Sequence, residues 1–562
     1  MNRTTTDPMA GFIKSPLGHQ QPPVPDSTKP GGDGDFLTTI QPFPVRSVAI
    51  FSIAIGTLLI FIASYLLTQY MFVLIEARSY LANAGWVSRI TAAGYWLFPT
   101  GFNTRYTSMF FAGFVNHTCG VSLGCTNAWE SILVALAFAT IAFHTFQLAG
   151  SIRSTILTAG LWALSAPTLS GVLWQSIQHD KIATILIMLT LSLTAHFFSR
   201  AYRSTWSMVF FSILLVALFG IAFNAKEIAF LLPICVGFLA IVLAVGTGGS
   251  LLRNLAVVVL PLAYSAWYIA YYFIHLNAEW SHHIAGGSPE TTLKELALVS
   301  LNLGNFLGLG NWGDYNLAVE KLVKSLYLLF VVTFILLVLY HGFKWRPRAV
   351  PSVPEFLLKL LDSWREFYLL LITIICFAAF ARTSKPAAFY MMIPFWSSLL
   401  LLVLVSERLV SGLRYPRLAF VLLLTLMATP LLISYSTNFA TGGAVPRLVQ
   451  NSASLEESFA VVRGMLPPAE VKVIKIRIPE NADCIWYLLY GRHGENLDED
   501  LGPYLLNNVS LRPTMIDGNN SANKDRVPVP GEADVDLSNS YKLERITFNG
   551  QVIYQSAGSS KN

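Results

Sequence analysis

Long apolar runs constrain the fold of this sequence more than any other feature. About eleven of them are long enough to cross a hydrocarbon layer of ~30 Å, which takes roughly 20 helical residues. Hydrophobic residues make up 54% of the chain and charged residues only 12%, too few to cover a soluble globule. The sequence therefore predicts an all-α polytopic membrane protein, embedded in a lipid bilayer. The predicted spans are residues 47–70, 127–148, 154–174, 182–199, 205–223, 227–246, 254–275, 322–342, 366–382, 386–405 and 416–435.

The distribution of Lys and Arg among the short loops predicts the orientation of these spans. Loops that stay in the cytoplasm carry an excess of Lys and Arg. With a cytoplasmic N-terminus, every inner loop is basic, from Arg153 in the first to Arg417 in the last. The same orientation places a long first outer loop, residues 75–126, and everything after about residue 437 on the outer face.

Composition divides the chain into three parts. Residues 1–44 are rich in Pro, Gly, Asp and Thr, have no apolar core like that of a cleavable signal peptide, and predict a disordered cytoplasmic tail. Residues 45–436 form the predicted transmembrane domain. In residues 437–562, stretches such as VKVIKIRI and ERITFNGQVIYQS have strand length and are separated by Gly, Pro and Asn turns. We expect a small C-terminal β-containing domain that is extracytoplasmic.

The five cysteines are too few for a disulfide scaffold. Cys119 and Cys125 both fall in the first outer loop, where they can form a small disulfide if the compartment oxidises thiols. Cys235 and Cys376 fall within predicted spans and are typical of small core residues. No Cys cluster has metal-ligand spacing, and no resident cofactor is predicted with certainty. No basic face with interleaved aromatics indicates nucleic acid as a partner.

Two short outer turns place charges at the mouths of neighbouring spans. QHDK contains His179, Asp180 and Lys181, and FNAKEIAFLLP contains Lys226 and Glu227. A charge at membrane depth costs several kcal/mol unless it is paired or faces water, so these residues are functional candidates. Alternatively, the second pair only caps a turn at the interface, with Lys226 extending outward. Because each turn carries an acid beside a Lys, we expect both to line one cleft.

Other polar residues of the outer face complete this constellation. Glu76 ends the first span, and Arg105 follows an amphipathic, aromatic stretch that predicts an interfacial roof over the cleft. His282 and His283 could ligate a metal or contact a phosphate, although a surface His pair is more often incidental. Arg382 adds a further cation. Cations of this kind suit a phosphate, and a carboxylate in apolar surroundings can act as a general base.

Four stretches of the membrane region occur in a characteristic order. They are NTRYTSMFFAGFVNHTCGVSLGCTNAWESILVALAFATIAFHTF, LWQSIQHDKIATILIMLTLSLTAHFFSRAYRS, FGIAFNAKEIAFLLP and ARTSKPAAFYMMIPFWSSLLLL. Together they resemble the GT-C superfamily of membrane glycosyltransferases, which take sugars from polyprenyl-phosphate donors. The likeness is closest to the branch of the protein O-mannosyltransferases and related bacterial enzymes. It implies a long first outer loop, multiple spans and a place in the bacterial inner (plasma) membrane.

The resemblance also implies a reaction and its residues. A sugar would pass from a polyprenyl-phosphate donor to a hydroxyl of a glycan, lipid or protein acceptor at the outer face. One carboxylate would take the acceptor proton, a second would orient the acceptor or a divalent ion, and cations would hold the lipid phosphate. The implied residues are Glu76 and Asp180 as catalytic carboxylates, Arg105, Lys181, Lys226 and Arg382 for the phosphate, and Glu227, His179, His282 and His283 in support.

Two other functions remain open at this point. Family members carry an Asp just after the first span, whereas here Glu76 is the only acid between the first span and Glu130. This replacement favours a catalytically inactive GT-C scaffold that binds lipid-linked sugar. A transporter or flippase is the other alternative. Against it, the charges collect at one membrane face, whereas alternating access favours sites near the midplane and broken helices in paired halves.

Overall fold

A computed structural model describes the three-dimensional arrangement of most of the membrane region and parts of the C-terminal region. The described residues are 47–68, 97–99, 106–119, 122–173, 178–199, 204–246, 250–276, 317–344, 363–380, 392–411, 413–439, 444–478, 512–517, 529–537 and 541–556.

The described membrane region is built from α-helices. They are α1 Ser47–Thr68, α2 Tyr106–Cys119, α3 Leu123–Ala149, α4 Ile152–Ala163, α5 Ala166–Leu173, α6 Gln178–Phe198, α7 Thr205–Phe223, α8 Leu232–Gly246, α9 Leu251–Tyr271, α10 Leu317–Lys344, α11 Trp364–Phe380, α12 Met392–Ser411, α13 Pro416–Phe439 and α14 Ala444–Met465. A 3₁₀ turn, Glu227–Leu231, leads into α8, and a π-helical turn, Tyr272–Leu276, continues α9. Among the described residues, 7 helical segments are long and apolar enough to cross a membrane, which makes this an integral membrane protein.

The predicted count of about eleven spans is not confirmed. The predicted span 154–174 is two shorter helices, α4 and α5. Ser165 lies at the break, where its Oγ accepts a hydrogen bond from the Thr168 N–H, and Pro167 has no N–H to continue the helical ladder. Three further predicted spans coincide with α10, α11 and α13, of which α11 has 17 residues and the other two are apolar over shorter stretches. Hydropathy does not detect the break between α4 and α5, because both of these helices are apolar.

Helices α3 and α6 pack against each other at the centre of the bundle. Ile141 of α3 and Ile187 and Leu191 of α6 are fully buried. Polar side chains connect these helices to α12, since the Trp396 Nε1–H donates to Thr145 Oγ1 over 2.8 Å. Apolar surroundings offer no water to a buried N–H, so such internal partners are required. The pairing of α3 with α6 fixes where the polar residues at their ends meet.

The C-terminal region combines helix α14 with one five-stranded sheet. The strands are β1 Val473–Ile478, β2 Arg512–Asp517, β3 Glu532–Asp536, β4 Arg545–Phe548 and β5 Gln551–Gln555, and their order in the sheet is β2-β1-β3-β4-β5. Strand β1 is parallel to β2 and β3, and the other pairs are antiparallel. The predicted small C-terminal sheet is confirmed, and its domain boundary at residue 437 stays a prediction.

Strand alternation explains how this sheet is built. Ile474 and Ile476 of β1 and Val535 of β3 are fully buried, while the residues between them are half-buried and polar. Hydrogen bonding to Asp534 across the strands raises the pKa of Arg477. The β4–β5 turn has φ of 51° at Asn549 and 79° at Gly550, as a two-residue hairpin turn requires.

Gly531 provides a test of the junction between α14 and the sheet. Its φ is +84°, and a Cβ there would lie 2.8 Å from the Glu470 carbonyl oxygen. We expect Gly531→Ala to destabilise the sheet by about 1–3 kcal/mol, because the added Cβ would collide with the Glu470 backbone and alanine disfavours a positive φ. Hydrogen exchange of the β1 and β3 amides measures this loss. Gly464→Ala is the matched control, because a Cβ at Gly464 meets open space. Equal exchange in both variants would contradict the prediction.

Candidate functional site

Five ionisable residues meet where α3 and α6 begin and α7 ends, and we call Glu130, His179, Asp180, Lys181 and Lys226 the charged cluster. The Lys226 ammonium donates to Asp180 Oδ2 over 2.6 Å, and His179 Nε2 lies 3.1 Å from the same oxygen. The Lys181 ammonium donates to Glu130 Oε2 over 2.5 Å. Both ion pairs are buried, whereas the His179 side chain keeps 19% of its surface exposed. We call this side of the bundle the cluster end.

The start of α6 explains why two adjacent residues serve different partners. Asp180 lies in the first helical turn, where free backbone N–H groups and the helix dipole stabilise a carboxylate. Successive side chains of an α-helix point about 100° apart. Asp180 therefore faces the turn that carries Lys226, and Lys181 faces α3. Glu130 lies about 10 Å along α3 from its first residue, at 1.5 Å per residue.

A tight turn after α7 holds Lys226 in place. The N–H groups of Ala225 and Lys226 both donate to the Ala222 carbonyl oxygen, and Lys226 is then extended, with φ −166° and ψ 150°. Lys226 is only 6% exposed. A lysine that extends outward to the interface would be exposed, so the structure favours a paired, inward-facing Lys226 over a simple interfacial cap.

Helix α9 supports this turn with tyrosine hydroxyls. Tyr268 donates to Asn224 Oδ1 over 2.9 Å, and Tyr272 donates to Glu227 Oε1 over 3.2 Å. The Asn224 amide donates in turn to the Phe98 carbonyl oxygen over 3.4 Å. Residues 97–99, from the predicted first outer loop, therefore lie against the turn that carries Lys226.

Three further contacts bring α1, α2 and the start of α3 to the cluster end. The hydroxyl of Thr107 in α2 donates to the Ile221 carbonyl oxygen over 2.7 Å, which ties α2 to the end of α7. A disulfide joins Cys119 to Cys125, so α2 is linked to the start of α3. The Asn127 amide donates to the Thr68 carbonyl oxygen over 2.5 Å, so α1 ends here too.

The structure brings only some of the predicted site residues together. His179, Asp180, Lys181 and Lys226 belong to the charged cluster, and Glu227 lies next to it. No group of three or more His, Cys, Asp or Glu side chains suited to a metal ion occurs among the described residues. Predicted site residues that lie outside the described ranges are Glu76, Arg105, His282, His283 and Arg382.

Glu130 is the one cluster member that the sequence did not predict as a site residue. It lies within an apolar run, and an acid at such a position indicates a buried partner or a function. Its partner, Lys181, is fully buried. Asn127, Asn224 and Tyr268 were also missed, because nothing in the sequence indicates which helix faces meet.

Comparisons with known proteins add little to this picture. No protein-family model matches the chain, and no curated protein matches it. Among solved structures, the chain is similar to ArnT from Cupriavidus metallidurans, crystallised with bound undecaprenyl phosphate. The TM-score is 0.40 and the identity 13%, over 90% of this chain and 98% of that one. A likeness this distant shows neither a shared fold nor a shared activity. The described helices themselves define an integral membrane protein with a buried charged cluster.

Breaking the Asp180–Lys226 pair tests whether the charged cluster is held by its charges. Asp180→Asn leaves the Lys226 ammonium buried without this carboxylate, so we expect a loss of about 3–5 kcal/mol in stability. The double variant Asp180→Asn/Lys226→Met removes both charges and is expected to recover most of the loss. Thermal unfolding of the purified protein measures both effects.

The half-buried Arg463–Glu456 pair in α14 supplies the control for this test. Glu456→Gln breaks a partly solvated pair and is expected to change stability by about 1 kcal/mol or less. If Asp180→Asn unfolds no earlier than Glu456→Gln, the Asp180–Lys226 pair does not hold the cluster together.

Proposed function

We propose that this protein is an integral-membrane glycosyltransferase of the GT-C type. It transfers a sugar from a polyprenyl-phosphate donor to a hydroxyl of a glycan, lipid or protein acceptor. The charged cluster is the observation that carries the proposal. A bundle of apolar helices is stable without buried charges, whereas a site for a lipid phosphate and an acceptor hydroxyl needs both cations and carboxylates at the membrane edge.

Lys226 and His179 are the proposed contacts of the lipid phosphate. An ammonium group has three N–H donors, so Lys226 can keep its bond to Asp180 and donate to a phosphate oxygen as well. His179 is the most exposed member of the two pairs that involve Asp180. As the sugar leaves the phosphate, these donors stabilise the negative charge that develops on it. Arg105 and Arg382 are proposed as further phosphate contacts, from the sequence resemblance.

The transfer itself needs a carboxylate near the acceptor. The acceptor oxygen forms a bond to the sugar's anomeric carbon while the bond from that carbon to the phosphate oxygen breaks, and its electron pair leaves with the phosphate. The proton of the acceptor hydroxyl passes to a carboxylate, for which Glu76 is proposed, with Asp180 orienting the acceptor. Helix α1 ends at Thr68, which Asn127 holds one helical turn from Glu130.

The remaining predicted residues take supporting roles in the proposal. Glu227 positions the turn through Tyr272, and His282 and His283 are proposed to support the site from the long outer loop. Lys181 receives a different role from the one implied by its sequence motif. Because its ammonium is fully buried against Glu130, it is proposed to neutralise that carboxylate instead of contacting the lipid phosphate.

The disulfide supports action at the outer face of the membrane. Structural disulfides persist in oxidising compartments such as the bacterial periplasm and are rare in the cytosol. Cys119 and Cys125 lie at the cluster end, where α3 begins. The proposed protein therefore lies in the bacterial inner membrane with the charged cluster facing outward, in agreement with the positive-inside orientation of the loops.

A strain that lacks the gene tests the proposed function. We expect its surface glycans, glycolipids or glycoproteins to lose a sugar, as seen by mass spectrometry, and the wild-type gene to restore it. Lys226→Met, at equal membrane levels, is expected to lower the restored signal roughly 100-fold, as for other lost electrostatic contacts. Arg253→Ala, which removes an exposed cation at the start of α9, is the matched control and should restore fully.

Two results would contradict the proposal. Full restoration of every glycan by Lys226→Met at normal protein levels would show that Lys226 takes no part in the transfer. A deletion that changes no glycan but abolishes uptake or export of a solute would favour the transporter.

A further inference from the structure

Two buried oxygen atoms beside the charged cluster have no hydrogen-bond donor. They are Glu130 Oε1 and Gln178 Oε1, on side chains that are 2% and 4% exposed. The two side chains are neighbours, since the Gln178 side chain is hydrogen-bonded to the Glu130 carboxyl group, and the two oxygens named above are the atoms left without a donor. A buried acceptor without a donor costs about 1–3 kcal/mol. Native proteins satisfy such groups, so a donor from outside the chain is expected here.

The chemistry of these oxygens restricts what the donor can be. The ammonium of Lys181 is already bound to the other carboxylate oxygen, Oε2, and is fully buried. A lipid phosphate is a poor donor, because it is anionic at neutral pH and Glu130 repels its negative charge. A donor that carries a hydrogen and no negative charge suits these oxygens. Hydroxyl groups, which sugars and their acceptors carry in number, meet both conditions, and an enclosed water molecule is the alternative that the transfer assay below separates.

We propose that Glu130 and Gln178 bind a hydroxyl of the transferred sugar or of its acceptor. This inference rests on the proposed function, and it assigns the phosphate and the hydroxyl to different sides of α6. Lys226 and His179 contact the phosphate on one side of α6, and Glu130 and Gln178 contact the hydroxyl on the side that faces α3. Asp180 lies on the side of Lys226 and His179. Glu130 is then a binding residue and not only the structural partner of Lys181.

The variant Gln178→Met distinguishes a purely structural role of Gln178 from a role in binding a substrate hydroxyl. Methionine keeps the volume of the side chain but removes both the acceptor without a donor and the amide that bonds to Glu130, so we expect a small loss of stability, and transfer is compared at equal membrane levels. If the role is structural, transfer at equal levels should be unchanged. If Gln178 binds a substrate hydroxyl, transfer at equal levels should fall at least roughly tenfold.

The neutral pair Glu130→Gln/Lys181→Met applies the same logic to the ion pair. Removing both charges avoids an unpaired buried ion, so the protein is expected to reach normal membrane levels. Each variant is assayed in the deletion strain for restored glycan, and as purified protein for retention of undecaprenyl phosphate by native mass spectrometry. We expect at least a roughly tenfold loss of glycan transfer with lipid retention unchanged within about threefold.

Three outcomes overturn the inference, and they can be told apart. Full transfer by Gln178→Met shows that no hydroxyl is bound there, and this variant decides if the neutral pair does not accumulate. Loss of undecaprenyl phosphate from both variants places these residues at the phosphate instead. If the wild-type gene itself restores no glycan, the proposed function has failed, and the hydroxyl site fails with it.

Discussion

The high free energy of a charge in hydrocarbon is the constraint on which this structure depends. At the cluster end, two buried ion pairs join residues of different elements: Lys226 pairs with Asp180, and Lys181 pairs with Glu130. These pairs fix α6 against α3 on one side and against the turn after α7 on the other. The removal of one partner would leave its counterpart buried, so the positions of three elements are coupled.

Polar contacts at the same end extend this coupling to the first outer loop. Asn127 fixes the end of α1, Thr107 fixes α2 to α7, and Asn224 contacts Phe98. The described parts of this loop, residues 97–99 and α2, therefore lie close to the charged cluster. At the opposite end of the bundle, Arg408 pairs with Glu366, where the Arg408 side chain is 56% exposed. An exposed pair contributes little to stability, and it carries no comparable coupling.

Sequence patterns predicted the parts of this structure that depend on local composition. Apolar runs predicted most of the helices, and alternation predicted β1 and the β4–β5 hairpin. The two short turns were enough to predict that Asp180 and Lys226 lie close together, as their ion pair shows, while the cleft that they would line stays a prediction. The pairing of Lys181 with Glu130 could not be predicted, because it depends on the rotation and depth of two helices. The break at Ser165 was missed for a related reason, since a polar contact, and not hydropathy, ends α4. Helix α14 was missed because its polar composition resembles a loop.

The most direct test of the proposed site is its affinity for a polyprenyl phosphate. Native mass spectrometry of purified protein, titrated with undecaprenyl phosphate, compares the wild type with two variants. Asp180→Asn removes a negative charge that repels the phosphate beside Lys226, so we expect the lipid to bind more tightly. Asp180→Asn/Lys226→Met removes the cation too, and we expect binding weakened at least roughly tenfold, about 1.4 kcal/mol. Equal binding by all three proteins would contradict the assignment of Lys226 to the lipid phosphate.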